Sequence, residues 1–423
     1  MKQSTQSPTD PYSAKAALAY KRLVHTSPTI LLSCLLALVM AACGQKSPKE
    51  AGDIPAIAFH VDKSKKMASL FNEYTFIQLE TTDDCVLPVI KRVIDINDTL
   101  VVLSNANDIF TFERNTGKLI GRISSQGEGP EEYVEASDIF ADANGQIGIV
   151  DRLRGEVKYF TTKGSFSKAI KIGHELAWMN NVELASDGSL LVSNQLTGGY
   201  PPQRYAYTLI GTGKGGKRAS SFDEFAPVTV GDYSTAFASK PATVCGDEVH
   251  FLKFLNDTLF SYRNGEIKPM FRLQTHVPLP SHKVVAKQGE YDIIKLATLC
   301  KNGNFFIGFD GIYETDSLVL LVTNVPEQNG FYWIDKNTNK GYICPGISLM
   351  SAILANVAGG RCIYNPVGSS ATELVQSINP DDAPLMKEVL TKKKVKPFDN
   401  RLPQFLDTVD PEGNPCLFIY AHK

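Results

Sequence analysis

Short hydrophobic stretches bounded by turn-forming residues recur along the chain from residue 54 onward. Within them apolar and polar positions alternate, or β-branched residues follow one another, as is typical of β-strands. The clearest stretches open at intervals of 43 to 59 residues, at Val101, Ile147, Leu190, Val249, Phe305 and Cys362. Most of them follow a turn such as Asn97-Asp98 or Asn144-Gly145, whose residues tolerate the positive φ of tight hairpins. The pattern predicts an all-β protein built from a repeated unit.

Further strands follow these openings in pairs joined by a turn. The pairs are Ile109–Glu113 with Lys118–Ile123, Val157–Phe160 with Phe166–Ile172, Thr258–Tyr262 with Ile267–Leu273, and Phe331–Asp335 with Tyr342–Cys344. Strand-rich repeats of about 40–50 residues are typical of propeller blades, which bury their apolar faces only against neighbouring blades. We therefore expect a six-bladed β-propeller. The alternative, a pair of β-sandwiches, would not group strands into units of this length.

The two ends of this region indicate how the propeller could close. If the first apolar run, Ile54–Val61, and the last, Cys416–Tyr420, share one blade, their hydrogen bonds lock the circle. One segment, Asp382–Lys394, has apolar residues at helical spacing and a proline tolerated in its first turn. We expect it to be a short helical insertion in the last blade, near the C-terminus.

The first forty residues have the pattern of an export signal. Lys21 and Arg22 precede an apolar stretch from Ile30 to Ala42, which is shorter than the roughly 20 residues of a membrane span. The residues before Cys43 resemble a bacterial lipoprotein signal, so we expect a signal peptide over 1–42, a lipidated tether over 43–53 and the propeller over 54–423. An ordinary secretory signal ending near a chance cysteine is the alternative. The tether has no acidic residue before Glu50, which favours the periplasmic face of the outer membrane over the cell surface.

Composition narrows the classes of function. With 43 Lys+Arg, 45 Asp+Glu and a formal charge of −2, the chain gives no electrostatic case for binding nucleic acid. Hydrophobic residues at 43% exclude a disordered chain. Besides Cys43 the mature chain has cysteines at 85, 245, 300, 344, 362 and 416. Their number permits disulfides in an oxidising compartment, but buried free thiols are the favoured interpretation.

One loop carries a resemblance to a known family. The residues are Gly127, Glu128, Gly129, Pro130, Glu131, Glu132 and Tyr133. They resemble the GxGPxEY segment of six-bladed, NHL-like β-propeller lipoproteins of Bacteroides-like gut bacteria, whose activity is largely unassigned. The similarity extends to the run Asp142–Asp151 and to the helix before the last strand. It implies the fold and an envelope location more than a chemistry.

The same loop is the candidate ligand-binding loop. Three carboxylates within five residues could bind a cation or a polar ligand at one mouth of the channel. The alternative, a rigid turn between blades with solvated glutamates, is favoured because runs of like charge are usually solvated. The histidines are scattered along the chain, which leaves open a metal site whose ligands come from different blades.

Two functions follow from this pattern. The first is a membrane-anchored binding or scaffold module without a cofactor, whose partner is a glycan, a peptide or an envelope protein. It rests on a full propeller pattern that lacks a recognisable catalytic motif. The second is a cation-dependent hydrolase or lyase, similar to lactonase propellers, with Ca²⁺ in the channel. Its candidate ligands are Asp138, Glu183, Asn194 and Asp310.

Overall fold

The computed structural model divides the chain into two compact units, Met1–Ile54 and Pro55–Lys423. The described residues are 54–61, 70–123, 125–173, 176–177, 179–194, 196–197, 205–211, 218–224, 234–235, 240–253, 256–281, 284, 293–306, 308–309, 311–323, 330–345, 366–392 and 399–421. All helices and strands given below belong to the second unit. Within the described residues, no helix is both long enough and apolar enough to span a membrane.

Almost all described elements are short strands. They are β1 Ala56–His60, β2 Glu73–Gln78, β3 Ile90–Ile96, β4 Thr99–Ser104, β5 Ile109–Glu113, β6 Leu119–Arg122, β7 Asp138–Ala141, β8 Ile147–Asp151, β9 Glu156–Phe160, β10 Phe166–Lys171, β11 Met179–Leu184, β12 Ser189–Asn194, β13 Leu196–Thr197, β14 Tyr205–Gly211, β15 Arg218–Glu224, β16 Ser234–Thr235, β17 Ala242–Cys245, β18 Glu248–Leu252, β19 Thr258–Arg263, β20 Glu266–Gln274, β21 Gly311–Glu314, β22 Leu318–Thr323, β23 Gly330–Asp335, β24 Lys340–Pro345, β25 Pro366–Ser369, β26 Glu373–Ile378 and β27 Cys416–Ala421. The helices are α1 Ile293–Gly303, α2 Ala383–Lys392 and α3 Leu402–Thr408, with a 3-10 turn at Pro380–Asp382.

The strands form antiparallel meanders in chain order. Separate four-stranded sheets have the orders β3-β4-β5-β6, β7-β8-β9-β10, β11-β12-β14-β15 and β25-β26-β27-β2. A nine-stranded sheet contains two further meanders, β17–β20 and β21–β24, on the two sides of β1. Strand β1 is parallel to both neighbours: Ala56–Ala58 pair with β20, and Phe59 and His60 pair with β24.

The sheets pack side by side around a common axis. Their first strands contact one another in a closed order, β3, β7, β11, β17, β21, β25 and back to β3. Each hydrophobic cluster combines side chains from two meanders that follow each other; for example, Val101 packs with Ile139 and Ile149. Because every sheet buries both faces against neighbours, the arrangement is propeller-like.

The sheet β25-β26-β27-β2, which we call the closing sheet, brings the two ends of this region together, as expected, but through a different N-terminal strand. Strand β27 pairs with β2, with Phe76 opposite Phe418, and not with the first apolar run Ile54–Val61. That run forms β1, whose Ile57 and Phe59 are buried between the two meanders of the nine-stranded sheet. Apolarity alone could not distinguish these two N-terminal strands, since both are buried.

The expected opening strands need a correction. The stretches at Val101, Ile147, Leu190 and Val249 lie in the second strands β4, β8, β12 and β18. Another strand precedes each one, namely β3, β7, β11 and β17, which contact one another around the axis. The stretch at Phe305 is not a strand: it follows α1, which the sequence did not predict. Cys362 lies outside the described residues.

Two other expectations concern the helix and the cysteines. The helix expected over Asp382–Lys394 is α2. In the chain it follows β26 and precedes β27, and a further helix that was not predicted, α3, lies in the same connection. Four cysteines, Cys85, Cys245, Cys300 and Cys416, are free thiols. The side chains of the remaining two in this unit lie outside the described residues.

Candidate functional site

A cavity of about 320 Å³ lies along the C-terminal halves of the first strands β3, β7, β11, β17 and β25. We call it the axial cavity. Its polar wall side chains are Arg92, Asp95, Glu183, Lys240, Thr243, Ser369, Ser370 and Glu373. The volume falls within the range of about 300–1,000 Å³ that is usual for small-molecule sites.

Arg92, buried on β3, connects three consecutive first strands. Its Nη1 donates to Asp138 Oδ2 on β7 at 2.9 Å, and its Nη2 donates to Glu183 Oε2 on β11 at 2.8 Å. Asp138 Oδ2 also accepts from the Val182 backbone N–H at 2.9 Å and from the Asn181 amide at 3.1 Å. Burial works against the charge of Arg92, but the two carboxylates outweigh it and raise the pKa of the guanidinium.

Lys240 completes this charged wall. Its Nζ donates to Glu183 Oε1 and to the Ala242 carbonyl at 2.8 and 2.9 Å, and lies 5.5 Å from the centre of the Tyr313 ring. Burial lowers the pKa of Lys240, and the nearby Arg92 adds to this effect against the opposing Glu183. Both oxygens of Glu183 are therefore held by cations of the chain itself.

A second ion pair network lies where the closing sheet meets β3. Arg114 Nε donates to Asp95 Oδ2 at 2.7 Å, and Arg114 Nη2 contacts Glu373 Oε1. Burial raises the pKa of Asp95 and of Glu373 above the ordinary values, against the opposing pull of Arg114. Both carboxylates line the axial cavity.

Beside the cavity, a third group joins the meanders β17–β20 and β21–β24. Buried Glu314 accepts from Lys336 Nζ at 2.8 Å, and its other oxygen lies 2.6 Å from His250 Nδ1. Burial would raise the pKa of Glu314, but His250 and Lys336 hold it below its ordinary value. Burial also raises the pKa of the neighbouring Cys245 thiol to about 11. We call Cys245, His250, Glu314 and Lys336 the Glu314 cluster.

The candidate ligand loop 127–133 is a connection between β6 and β7, away from the lining of the axial cavity. Its carbonyl groups accept from two cations: Arg154 Nη1 donates to Gly129 O at 2.7 Å, and Lys158 Nζ donates to Pro130 O at 2.8 Å. Glu132 accepts from the Gly129 backbone N–H at 2.7 Å, while Glu128 and Glu131 are exposed. The loop remains a predicted site. Its backbone carbonyls already accept hydrogen bonds from Arg154 and Lys158 of the sheet β7-β8-β9-β10.

Tyr133 anchors that loop from below. Its hydroxyl donates to the Ile123 carbonyl at 2.9 Å, and the side chain is only 1% exposed. Gly127 donates its backbone N–H to the Tyr133 carbonyl at 2.9 Å. Gly127 and Tyr133 therefore have a local structural role in shaping the turn.

Of the four candidate channel ligands, the structure brings two together. Asp138 and Glu183 meet at Arg92, whereas Asn194 lies on β12 and donates to Thr208 Oγ1 at 3.1 Å. Asp310 and Cys43 lie outside the described residues. Arg92 was missed; the available signal was a charged residue at an alternating position shared with Ile94 and Ile96.

Comparisons with known proteins agree with the fold. The family described as "Domain of unknown function (DUF4934)" matches residues 53–421. No curated protein matches the sequence. A Bacteroides fragilis protein described as exported, known from a crystal structure, is 19% identical, with a TM-score of 0.68 over 88% of this chain and 100% of that chain. At this identity the likeness shows the fold alone.

Two weaker structural likenesses complete the comparison. A member of the duf4221 family from Bacteroides vulgatus is 9% identical, with a TM-score of 0.44 over 83% of this chain and 98% of that one. Virginiamycin B lyase from Staphylococcus aureus is 10% identical, with a TM-score of 0.38 over 72% and 82% of the two chains. Similarity at these scores carries no argument about activity.

Proposed function

We propose, from the premise that this chain belongs to the DUF4934 family, that it is an exported binding module whose axial cavity holds the end of a neutral glycan. The module is a six-bladed propeller when the two meanders beside β1 are counted as separate blades. The closed order of six first strands supports that count. A propeller gathers side chains from many strands at its axis, and such convergence is what a small polar ligand requires.

The observation that carries the proposal is the balance of charge in the cavity wall. Two cations and three carboxylates line the cavity, Arg92 and Lys240 with Asp95, Glu183 and Glu373. Each is in an ion pair, either with another lining residue or with Asp138 or Arg114 outside the lining. A wall whose charges satisfy one another exerts little net attraction on an ion. Fixed donors and acceptors of both kinds can instead form hydrogen bonds with the hydroxyl groups of a sugar.

The same wall argues against a resident axial cation. Asp138 and Glu183 are two of the four candidate ligands for Ca²⁺, which takes six to eight oxygen ligands. The guanidinium of Arg92 lies between these carboxylates. A cation would therefore have to displace a buried group that donates hydrogen bonds to three residues. Binding without a metal is therefore favoured over the cation-dependent hydrolase or lyase.

The envelope location rests on the first forty residues. A short apolar segment followed by small residues and Cys43 is the pattern of a lipoprotein signal. Two or more acyl chains on Cys43 would hold the protein stably, since a single chain binds membranes only marginally. The similar Bacteroides fragilis protein is described as exported, which agrees with this placement.

Binding to defined sugars tests the proposed function. Neutral mono- to tetrasaccharides and, separately, short peptides are titrated into the purified chain by calorimetry, in buffer containing EDTA. Ala371→Trp places a large side chain at the cavity wall. We expect this substitution to weaken saccharide binding at least tenfold, a loss of about 1.4 kcal/mol or more.

The matched control is Ala169→Trp, on the exposed outer strand β10. It should leave the affinity unchanged. Binding of peptides but no saccharide would overturn the ligand class. Binding that disappears in EDTA would overturn the metal-free site, and equal affinity in the two tryptophan variants would remove the cavity from the proposal.

A further inference from the structure

The Glu314 cluster has the donor set of a metal site. On β17 and β18 the paired positions Thr243–His250 and Cys245–Glu248 share one face. This face meets Glu314 at the end of β21, the first strand of the next meander. Among the described residues, Cys245, His250 and Glu314 have their ligand atoms within 4.8 Å of one another.

We propose that Cys245, His250 and Glu314 bind a divalent cation of the zinc type. Thiolate, imidazole and carboxylate are the groups that bind Zn²⁺, at about 2.0–2.3 Å. Tetrahedral bonds of that length place ligand atoms roughly 3.3–3.8 Å apart. The sulfur therefore needs to approach the other two atoms by about 1.5 Å at most. His250 Nδ1 and Glu314 Oε2, which are 2.6 Å apart, need to separate by about 0.7 Å, and side-chain rotation can supply both movements.

The surroundings of His250 support this assignment. Its Nδ1 faces Glu314, while its Nε2 lies 3.1 Å from Glu248 Oε2. Histidine ligands of metals usually donate their other ring N–H to a carboxylate, which fixes the tautomer and the orientation of the ring. Glu248 is placed to accept that hydrogen bond while Nδ1 binds the metal.

The ammonium group of Lys336 contacts two of the three proposed ligands, Glu314 and Cys245. Its Nζ lies 2.8 Å from Glu314 Oε1 and 3.5 Å from Cys245 Sγ, and it donates to the Thr315 carbonyl at 3.0 Å. The Lys336 side chain is 27% exposed and belongs to the turn after β23, so it can move out into solvent. Arg92, whose side chain is only 10% exposed, has no such route. Lys336 is therefore a competitor that a divalent cation can displace.

Three protein ligands leave one position of a tetrahedral metal free. Structural zinc sites usually have four protein ligands, whereas sites with three keep a position for water or for an incoming group. The site would thus bind a donor atom from a partner or a small molecule. It lies on other residues than those that pair in the axial cavity, so it does not depend on the proposed glycan binding.

The test uses the full chain, purified in detergent under reducing conditions, treated with EDTA and then desalted. Zn²⁺ is titrated by calorimetry, and Co²⁺ serves as a spectroscopic probe of thiolate ligation. We expect one equivalent of Zn²⁺ to bind, a higher melting temperature with Zn²⁺, and a thiolate-to-cobalt absorption band in the near ultraviolet. Absence of binding by the unsubstituted chain would overturn the proposal without recourse to any variant.

Substitutions then locate the site. Cys245→Ser should abolish the cobalt band and weaken Zn²⁺ binding at least tenfold, while Cys300→Ser, a buried thiol on α1, should change neither. Lys336→Met should tighten Zn²⁺ binding because it removes the competing ammonium group. A cobalt band that persists in Cys245→Ser, or weaker binding in a folded Lys336→Met, would contradict the assignment.

Discussion

Arg92 Nη1 lies 2.9 Å from Asp138 Oδ2, and this contact joins the first strands of two consecutive sheets. Glu183 extends the link to a third sheet, with 2.8 Å between its Oε2 and Arg92 Nη2. The three side chains are at most 10% exposed. A buried ion pair contributes little net stability, but it strongly disfavours arrangements that leave one charge alone. The network therefore specifies the order and alignment of neighbouring sheets.

Arg92→Met tests this role. It removes the cation and leaves Asp138 and Glu183 facing each other with only Lys240 as a charged partner. Loss of one partner of a buried ion pair typically costs about 3–5 kcal/mol. We expect a loss of that size in the free energy of unfolding, measured by urea titration. Arg122→Met, which removes a 44%-exposed partner of Asp108, should cost about 1 kcal/mol or less. Equal losses in the two variants would contradict a special role for Arg92.

Local sequence patterns predicted the outer strands of four of the six meanders well, but not β14 and β15. Each of five strands begins and ends within one residue of its expected bounds: β5, β9, β10, β19 and β23. The turn between β19 and β20 is Asn264-Gly265, at φ values of 49° and 83°, and the turn between β3 and β4 is Asn97-Asp98, at 51° and 63°. Such residues fix a hairpin from within a few positions of sequence, so no tertiary information was needed.

The first strands and the site could not be predicted in the same way. Strand β11, Met179–Leu184, carries Asn181 and Glu183 inward, so it lacks the apolar run that marks a buried strand. Arg92 and Asp138 are 46 residues apart, and nothing local indicates that they meet. The parallel placement of β1 depends likewise on two meanders of its sheet that lie more than 200 residues later in the chain. These features arise from the packing of sheets and not from the sequence of any one strand.

Gly341 allows β1 to approach β24. A Cβ atom there would lie 2.8 Å from each of Ala58 O, Ile57 Cγ2 and Phe59 Cδ1. We expect Gly341→Ala to destabilise the protein by about 1–3 kcal/mol through overpacking and to speed amide exchange in β1. Hydrogen exchange with mass spectrometry measures both the site and the extent of the change.

Gly121→Ala is the control for that experiment. A Cβ at this position would meet only Thr111 Oγ1, at 3.8 Å, which is an ordinary contact. Its effect on stability should stay within about 0.5 kcal/mol. Equal rates of amide exchange in β1 in the two variants would mean that the close approach of β1 to Gly341 does not stabilise the position of β1.

Asp95 predicts a dependence of stability on pH. Burial raises its pKa in the folded protein, so the folded chain holds this proton more tightly than the unfolded chain. The contribution of Asp95 to stability is therefore full below the ordinary pKa and falls as the pH rises through the raised one. The charge of Asp98 adds to the rise in pKa, whereas Arg114 and a backbone hydrogen bond from Asp98 oppose it.

Asp95→Asn removes this titration. Relative to the unsubstituted protein, its stability should increase from about pH 4 upward and then reach a plateau once Asp95 is ionised in the folded state. Urea unfolding at a series of pH values gives this difference directly. A difference that decreases with pH would mean that Arg114 outweighs burial and that the pKa of Asp95 is lowered.

Cys43→Ser tests whether the chain is anchored by lipid. The tether and signal predict that Cys43 carries acyl chains, each of whose buried CH₂ groups contributes about 0.8 kcal/mol of membrane affinity. In a host that processes lipoproteins, the unsubstituted chain should incorporate labelled palmitate and sediment with the outer membrane. Cys43→Ser should incorporate none and be recovered in the soluble fraction or with its signal uncleaved.

Cys34→Ser, a change within the apolar segment that leaves the cleavage motif intact, should still be labelled. Labelling that survives Cys43→Ser would place the lipid elsewhere and remove the tether from the proposed function.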